Sequence, residues 1–320
     1  MFLKYKINKR IFLNFIIIIG VNMYKIITFI LFSTVTLTWG TTWIVMKIVI
    51  KTIPPIFATG IRFIITAPIL IIMAKLIKKP LLFPVGKKYF QIIITIFYFI
   101  IPFTLMIYSQ KYINSGLASI IFANMPIAIL IASKILIKEK TNKKQILGLI
   151  IAITSLSIIL FTESKINTNI HWQGFILIII SIILHAILYV ESKKKYSHIS
   201  IITFNTIPTL CSGIILLLIG WIIEHPIITN FSINSILAVF YLGIIGGVFG
   251  VMCYFTLQKR ISTFKSSIVF ILFPLISITL ENYIYNHKLS TISTLALVPL
   301  IISIIIIMTP KDFYLKKNTK

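Results

Sequence analysis

The sequence predicts an all-α polytopic membrane protein whose ten transmembrane helices form two inverted five-helix repeats. Three observations carry that expectation. Of the 320 residues 58% are hydrophobic and the mean hydropathy is +1.03, whereas soluble domains are roughly half apolar. The 31 Lys and Arg residues, against 6 Asp and Glu, fall in short clusters between apolar runs. Finally, a local pattern recurs 148 residues downstream: Gln110-Lys111 leads through Ser119, Ile120 and Phe122 to Pro126, and Gln258-Lys259 leads through Ser267, Ile268 and Phe270 to Pro274. The register then holds without a gap past Lys140 and Lys288. Duplication in a membrane setting points to transport.

A run of about 19 apolar residues crosses roughly 30 Å of hydrocarbon. On that rule the first helix spans 26–50, between Lys25 and Lys51, and the second spans 56–77, ending at Lys78-Lys79. The third follows Lys87-Lys88 over 89–109, the fourth spans 115–136 before Lys138, and the fifth spans 145–161 after Lys143-Lys144. The sixth, 173–191, stops at Lys193 to Lys195, and the seventh, 200–223, stops at Glu224. The eighth, 234–257, precedes Lys259-Arg260; the ninth and tenth occupy 266–285 and 289–308, ahead of Lys311. With a cytoplasmic N-terminus, 25 cations lie on the inner side and only Lys51, Lys111, Lys165 and Lys288 outside, leaving Lys47 and Arg62 within helices. Every loop obeys the positive-inside rule, so both termini are expected in the cytoplasm. Five helices per repeat, an odd number, require the second copy to enter upside down.

The domain plan is an N-terminal extension at 1–22, a first repeat at 23–162, a second at 163–310 and a basic cytoplasmic tail at 311–320. The extension has an apolar run, Ile11 to Val21, too short to span, and no small-x-small cleavage site follows it. It reads as a mis-assigned start, with Met23 opening the frame, or as a short cytoplasmic interfacial segment, in preference to a functional extension.

Several motifs fit no bilayer-filling role by composition alone. Gly243, Gly246, Gly247 and Gly250 make two overlapping small-xxx-small pairs on the eighth helix, which allow close backbone approach, either as a rocking contact or as static packing. Pro126 and Pro274 sit mid-helix at repeat-equivalent places, as hinges or as shape. Glu281 is the acid that falls within a span, at the depth of Lys47 and Arg62. It reads either as a proton-coupling or substrate-binding group or as the partner of one of those cations. His185, mid-way along the sixth helix, is either a proton relay or a satisfied core histidine. Trp39, Thr42, Trp43, Asn124, Tyr189 and Tyr254, together with His185, supply the aromatic and polar groups that an apolar substrate cavity uses to orient a small ligand, or else they pack.

No phosphate-binding loop, His-Glu-x-x-His or paired intramembrane carboxylates occur, so no catalytic residue, metal or cofactor is expected and an ATP-driven pump is excluded for this chain. Cys211 and Cys253 lack partners at ligand spacing and read as small core residues. No basic segment is interleaved with aromatics, which argues against nucleic acid despite the net charge of +25. The partners expected are a small-molecule substrate, the lipid bilayer and a coupling proton, with the chain a monomer or homodimer. A rival reading is a membrane enzyme acting on lipid or peptide through Lys47, Arg62 and Glu281.

At Trp39-Gly-Thr-Thr-Trp43, Lys47, Pro54-Pro55 and Arg62-Phe63 the chain resembles the first two helices of the EamA-type drug/metabolite transporters. Ser115-Gly-Leu-Ala-Ser119, Pro126 and Lys138-Glu139-Lys140 are similar to that family's later signature, repeated as Tyr241-Leu-Gly243, Ser266-Ser267, Pro274 and His287-Lys288-Leu-Ser290. The resemblance implies a secondary transporter of a small metabolite or drug-like compound across a bacterial inner membrane, often an exporter, working by alternating access with helices one to five and six to ten as halves. Two departures stand out: His287 occupies the place matching the acidic Glu139, and Phe273 stands where the family often has an acid before the ninth-helix proline.

Overall fold

A computed structural model describes residues 2–138, 142–166, 171–195, 198–261, 269–286 and 288–308. Side chains are described from Met23 onward, save those of 164–166, 193, 258–259, 271 and 308. Glu139, Lys140, Ser266, Ser267, His287 and the tail 311–320 lie outside the described residues.

Among the described residues all regular structure is helical. The helices are α1 (Phe2–Val49, crossing span Met23–Val49), α2 (Pro55–Leu76), α3 (Lys88–Ser109), α4 (Ser115–Leu136) and α5 (Lys143–Ile166). They continue with α6 (Trp172–Lys195), α7 (Ile201–Glu224), α8 (Ile233–Leu257), α9 (Val269–Tyr285) and α10 (Thr291–Met308). Eight of these, α1 to α8, are long and apolar enough to cross a membrane, and α10 carries a shorter apolar stretch. Boundaries match the expected ones within a few residues, with one difference. The helix of α1 begins not near 26 but at Phe2 and runs unbroken through the extension, where no proline interrupts the backbone bonds.

Local chemistry explains the helix starts. Pro54-Pro55 opens α2, where a proline's missing N–H is not needed. Asn114 caps α4 by accepting from Leu117 N at 2.8 Å. Ser200, Ser232 and Ser290 do the same for α7, α8 and α10.

Three helices are irregular. α3 widens to a π-helix over Thr95–Ile100 and α8 over Leu242–Phe249; the 148-residue shift maps the first onto 243–248, inside the second. α4 breaks at Ala123-Asn124, and Pro126 takes the second position of its new segment, Met125–Leu136. α9 passes through Pro274 as one helix. The two prolines are therefore equivalent in sequence but not in shape.

Packing crosses between the repeats. α2 and α7 run antiparallel in close contact: a Cβ on Gly60 would stand 2.7 Å from Leu217 N, and one on Gly220 would stand 2.7 Å from Phe57 N. α5 pairs with α10 and α4 with α9 in the same sense. α1 packs along α8 and α9, and α6 along α3 and α4. Helices one to five and six to ten therefore do not pack as separate halves. Each repeat's first helix is exchanged into the other, because α1 and α6 bury their small and aromatic faces there.

One end of the bundle carries loop residues 50–54, 110–114, 225–232, 286 and 288–290, from the cation-poor loops. Here three carboxylates meet helix N-termini. Glu224, ending α7, accepts from Ile56 N and Phe57 N at 3.1 and 2.9 Å, at the start of α2. Glu163 on α5 accepts from Ser290 N at 3.0 Å, before α10. Glu281 on α9 accepts from Ser115 N at 3.2 Å, the first residue of α4. Unpaired N–H groups and the helix dipole make each N-terminus a favourable place for negative charge.

Candidate functional site

Glu281 and Lys47 share one structure, the α3–α4 turn. Glu281, 2% exposed, takes hydrogen bonds from both the N–H and the hydroxyl of Ser115. Lys47 Nζ donates to Gln110 O at 2.7 Å and Ile113 O at 3.2 Å, the carbonyls left over where α3 ends. The cation thus sits on a helix C-terminus and the anion on the next N-terminus, and the two charges interact. Arg62 does not join them. Its guanidinium lies 5.0 Å over the Phe103 ring, and its buried Nε has no hydrogen-bond partner among the described residues.

The aromatic candidates form a continuous path across the core. Tyr254 packs on Trp39 at 4.8 Å, Trp39 on Phe270 at 5.7 Å, Phe270 on Phe273 at 6.2 Å and Phe273 parallel to Trp43 at 6.5 Å. Trp43 then meets Phe122 at 5.4 Å, Phe122 meets His185 at 6.1 Å, and His185 meets Phe103 edge-on at 5.4 Å. Phe103 carries Arg62, so the path links both repeats to the buried cation. Tyr189, one turn beyond His185, packs partly buried against the same core.

His185 has a structural task. Pro102 has no N–H to give the carbonyl of Tyr98 four residues earlier, and His185 Nε2 lies 3.1 Å from that oxygen. The carbonyl accepts, so Nε2 carries the proton; Nδ1 is then an acceptor, and it is buried without a partner among the described residues. Ser181 Oγ donates to Pro102 O and Ser212 Oγ to Thr95 O, each contacting α3 in or beside its π-helix. Asn124, in the break of α4, donates through Nδ2 to Ile120 O and Ile121 O at 3.0 and 3.2 Å, while its Oδ1 is buried and unpartnered.

The four glycines divide between two neighbours. A Cβ on Gly243 or Gly247 would meet α2 at Ile65, Arg62 O and Thr66, and one on Gly246 or Gly250 would meet α1 at Thr42, Thr38 and Trp39. Thr42 stands over Gly246, and its hydroxyl bonds Trp39 O within its own helix, so it belongs to this contact and not to the aromatic path. A cavity of about 490 Å³ opens at the cation-poor end between α1, α8 and α9, lined among others by Val45, Lys51, Ser232, Tyr241 and Tyr285. None of the seven expected cavity residues lines it.

Sequence reasoning missed Tyr98, Phe103 and Phe122, although the dense aromatics around Thr95–Phe103 are a visible signal. It also missed the pairing of Glu163 and Glu224, for which an acid closing an apolar run was the available sign. Among the described residues no group of three or more His, Cys, Asp or Glu could hold a metal ion.

The EamA-like transporter family matches residues 26–161 and again 172–309. The chain belongs to that family. It is 52% identical over 290 residues to protein PagO of Salmonella typhimurium, covering 91% of this chain and 95% of that one. It is 49% identical over 292 residues to an uncharacterized transporter of Buchnera aphidicola, covering 91% and 97%. With the uncharacterized inner membrane transporter YedA of Escherichia coli K12 the identity is 24% over 277 residues, 86% of this chain and 89% of that one. One solved crystal structure superimposes with a TM-score of 0.65 at 13% identity, over 91% of this chain and 99% of the other, which speaks to the fold alone. The EamA-like chain is thus a multi-pass membrane protein of a transporter family, and the enzyme reading of Lys47, Arg62 and Glu281 falls away.

Proposed function

We propose that the protein is a secondary transporter that exports a small metabolite or drug-like compound across the bacterial inner membrane by alternating access, with both termini cytoplasmic. The single observation that carries this reading is the interrupted α4 at Asn124, beside the aromatic path, in a bundle whose α3 and α8 carry repeat-equivalent π-helices. Broken and widened helices near mid-span are how transporters place polar groups against a substrate. In this reading Trp43, Phe122, Phe103, Arg62, His185 and Asn124 line the path, while Lys47 and Glu281 hold the α3–α4 turn. The glycines of α8 let that helix shift between α1 and α2.

The test is metabolite profiling of medium and cytoplasm in cells lacking or overproducing the protein, followed by flux of the altered compound in proteoliposomes. Export predicts that the compound accumulates inside the deletion strain. Identical profiles in all strains, with no flux in vesicles, would sink the reading.

A further inference from the structure

We propose that the substrate is a small aromatic monocarboxylate whose carboxylate pairs with Arg62, a proposal that rests on the transport path named above. Arg62 lies eight residues into α2, inside a crossing span, where an uncompensated cation is costly. Every described acid is committed elsewhere: Glu281 to Ser115, Glu224 to the start of α2, Glu163 to Ser290, and Glu191 to Lys195 at 2.7 Å. The other intramembrane cation, Lys47, holds two carbonyls and faces Glu281. Of these two cations Arg62 alone has a buried donor, Nε, with no acceptor among the described residues.

The residue is partly buried as a whole, and its guanidinium carbon lies 5.0 Å from the centre of the Phe103 ring. A guanidinium fixed in this way presents a planar fork that matches a carboxylate with two parallel hydrogen bonds. One cation neutralises one negative charge, so a monoanion fits and a phosphate dianion would leave excess charge in an apolar surrounding. The walls beside it are rings: Phe63 and Phe99 pack around Phe103, and His185 and Phe122 continue the surface. They suit a flat apolar body. His185 Nδ1, an unpartnered acceptor at the edge of Phe103, takes a hydroxyl or N–H on that body.

The experiment uses the purified full chain with benzoate, 4-hydroxybenzoate, the isosteric neutral benzamide and the cationic benzylamine. Binding is read by titration and by the shift in thermal midpoint. Both carboxylates should bind, 4-hydroxybenzoate more tightly, and benzamide and benzylamine should bind at least about tenfold more weakly, the scale of one charge-assisted contact. Arg62→Gln should erase the preference for carboxylate without lowering the midpoint of the ligand-free protein, because it removes a charge that had no counter-ion. Arg62→Lys should keep part of it. Equal binding of benzoate and benzamide, no carboxylate binding by the parent, or an unchanged preference in Arg62→Gln would each overturn the proposal. Flux of the probes in proteoliposomes separates it from the transport reading. Carboxylate binding without flux would support the anion site and count against transport, whereas Arg62-independent flux of neutral or cationic probes would support transport and overturn the anion site.

Discussion

Replacing Glu281 by Gln tests whether this intramembrane acid acts as a clasp on α4. The carboxylate receives the Ser115 N–H and hydroxyl, sits at the first residue of a helix, and faces the charge of Lys47. Hydrogen bonds to a charged acceptor contribute about 1.5–3 kcal/mol. A charge at a partly buried helix terminus adds up to about 2 kcal/mol. The glutamine oxygen can still accept one bond, so a net loss of about 2–4 kcal/mol is expected from these overlapping effects. The assay is unfolding of the detergent-solubilised protein, run as a cycle with Ser115→Ala. Residues in one network couple by about 0.5–3 kcal/mol, so the double variant should lose clearly less than the two single losses added. Lys47→Met should likewise soften the loss, since the neutral pair strands no cation. A Glu281→Gln protein as stable as the parent, or strict additivity with Ser115→Ala, would refute the clasp.

Four other outcomes follow, three from the packing and one from the placement of charge. His185→Phe should destabilise by about 1–3 kcal/mol by leaving Tyr98 O without a donor, and Pro102→Ala, which restores the backbone N–H, should recover part of that loss in the same unfolding assay. Gly220→Ala should cost about 1–3 kcal/mol or more and lower expression, because the new methyl meets the backbone of Phe57. Gly246→Ala should be milder, since it meets only the Thr42 methyl at 2.8 Å, and Thr42→Ser should relieve it. Reporters fused at positions 165 and 320 should reside on opposite sides of the membrane, the former outside, and matching sidedness would contradict the ten-span orientation.

Periodicity and charge placement made the helices legible because the bilayer imposes one length and one sign rule on every span. The starts of α2, α4, α7 and α8 expected from the apolar windows fall within one residue of the observed ones, where proline, asparagine and serine begin the helices. What could not be read was the choice among partners. Glu281, Lys47 and Arg62 share a depth, and only the fold reveals that two of them meet at the α3–α4 turn while the third stacks on Phe103. His185 was singled out for its own titration, yet its role depends on Pro102, whose consequence appears on the neighbouring helix. The glycine spacing on α8 pointed to close approach by a neighbour, but which pair lies against α1 and which against α2 needed coordinates. The π-helices gave no sign at all, since the residues that widen α3 and α8 are ordinary helix-compatible ones.

The exchange of α1 into the second repeat has a consequence for synthesis. Thr41 of α1 meets Tyr241 of α8 across 200 positions of chain. At about 5–20 residues per second, a ribosome needs about 10–40 s to supply that partner. Throughout that interval α1 must be tolerable to lipid by itself, with Thr36, Thr38, Thr41 and Thr42 on the stretch of the span that will later meet α8 and α9. Each of them returns its hydroxyl to its own helix: Thr36 to Phe32 O, Thr38 to Thr34 O, Thr41 to Leu37 O and Thr42 to Trp39 O, all at 2.6 to 2.8 Å. Lys47, close to the end of the span, can reach the interface while it waits. The nascent first helix therefore carries its own acceptors for these four hydroxyls before the second half of the chain has been made.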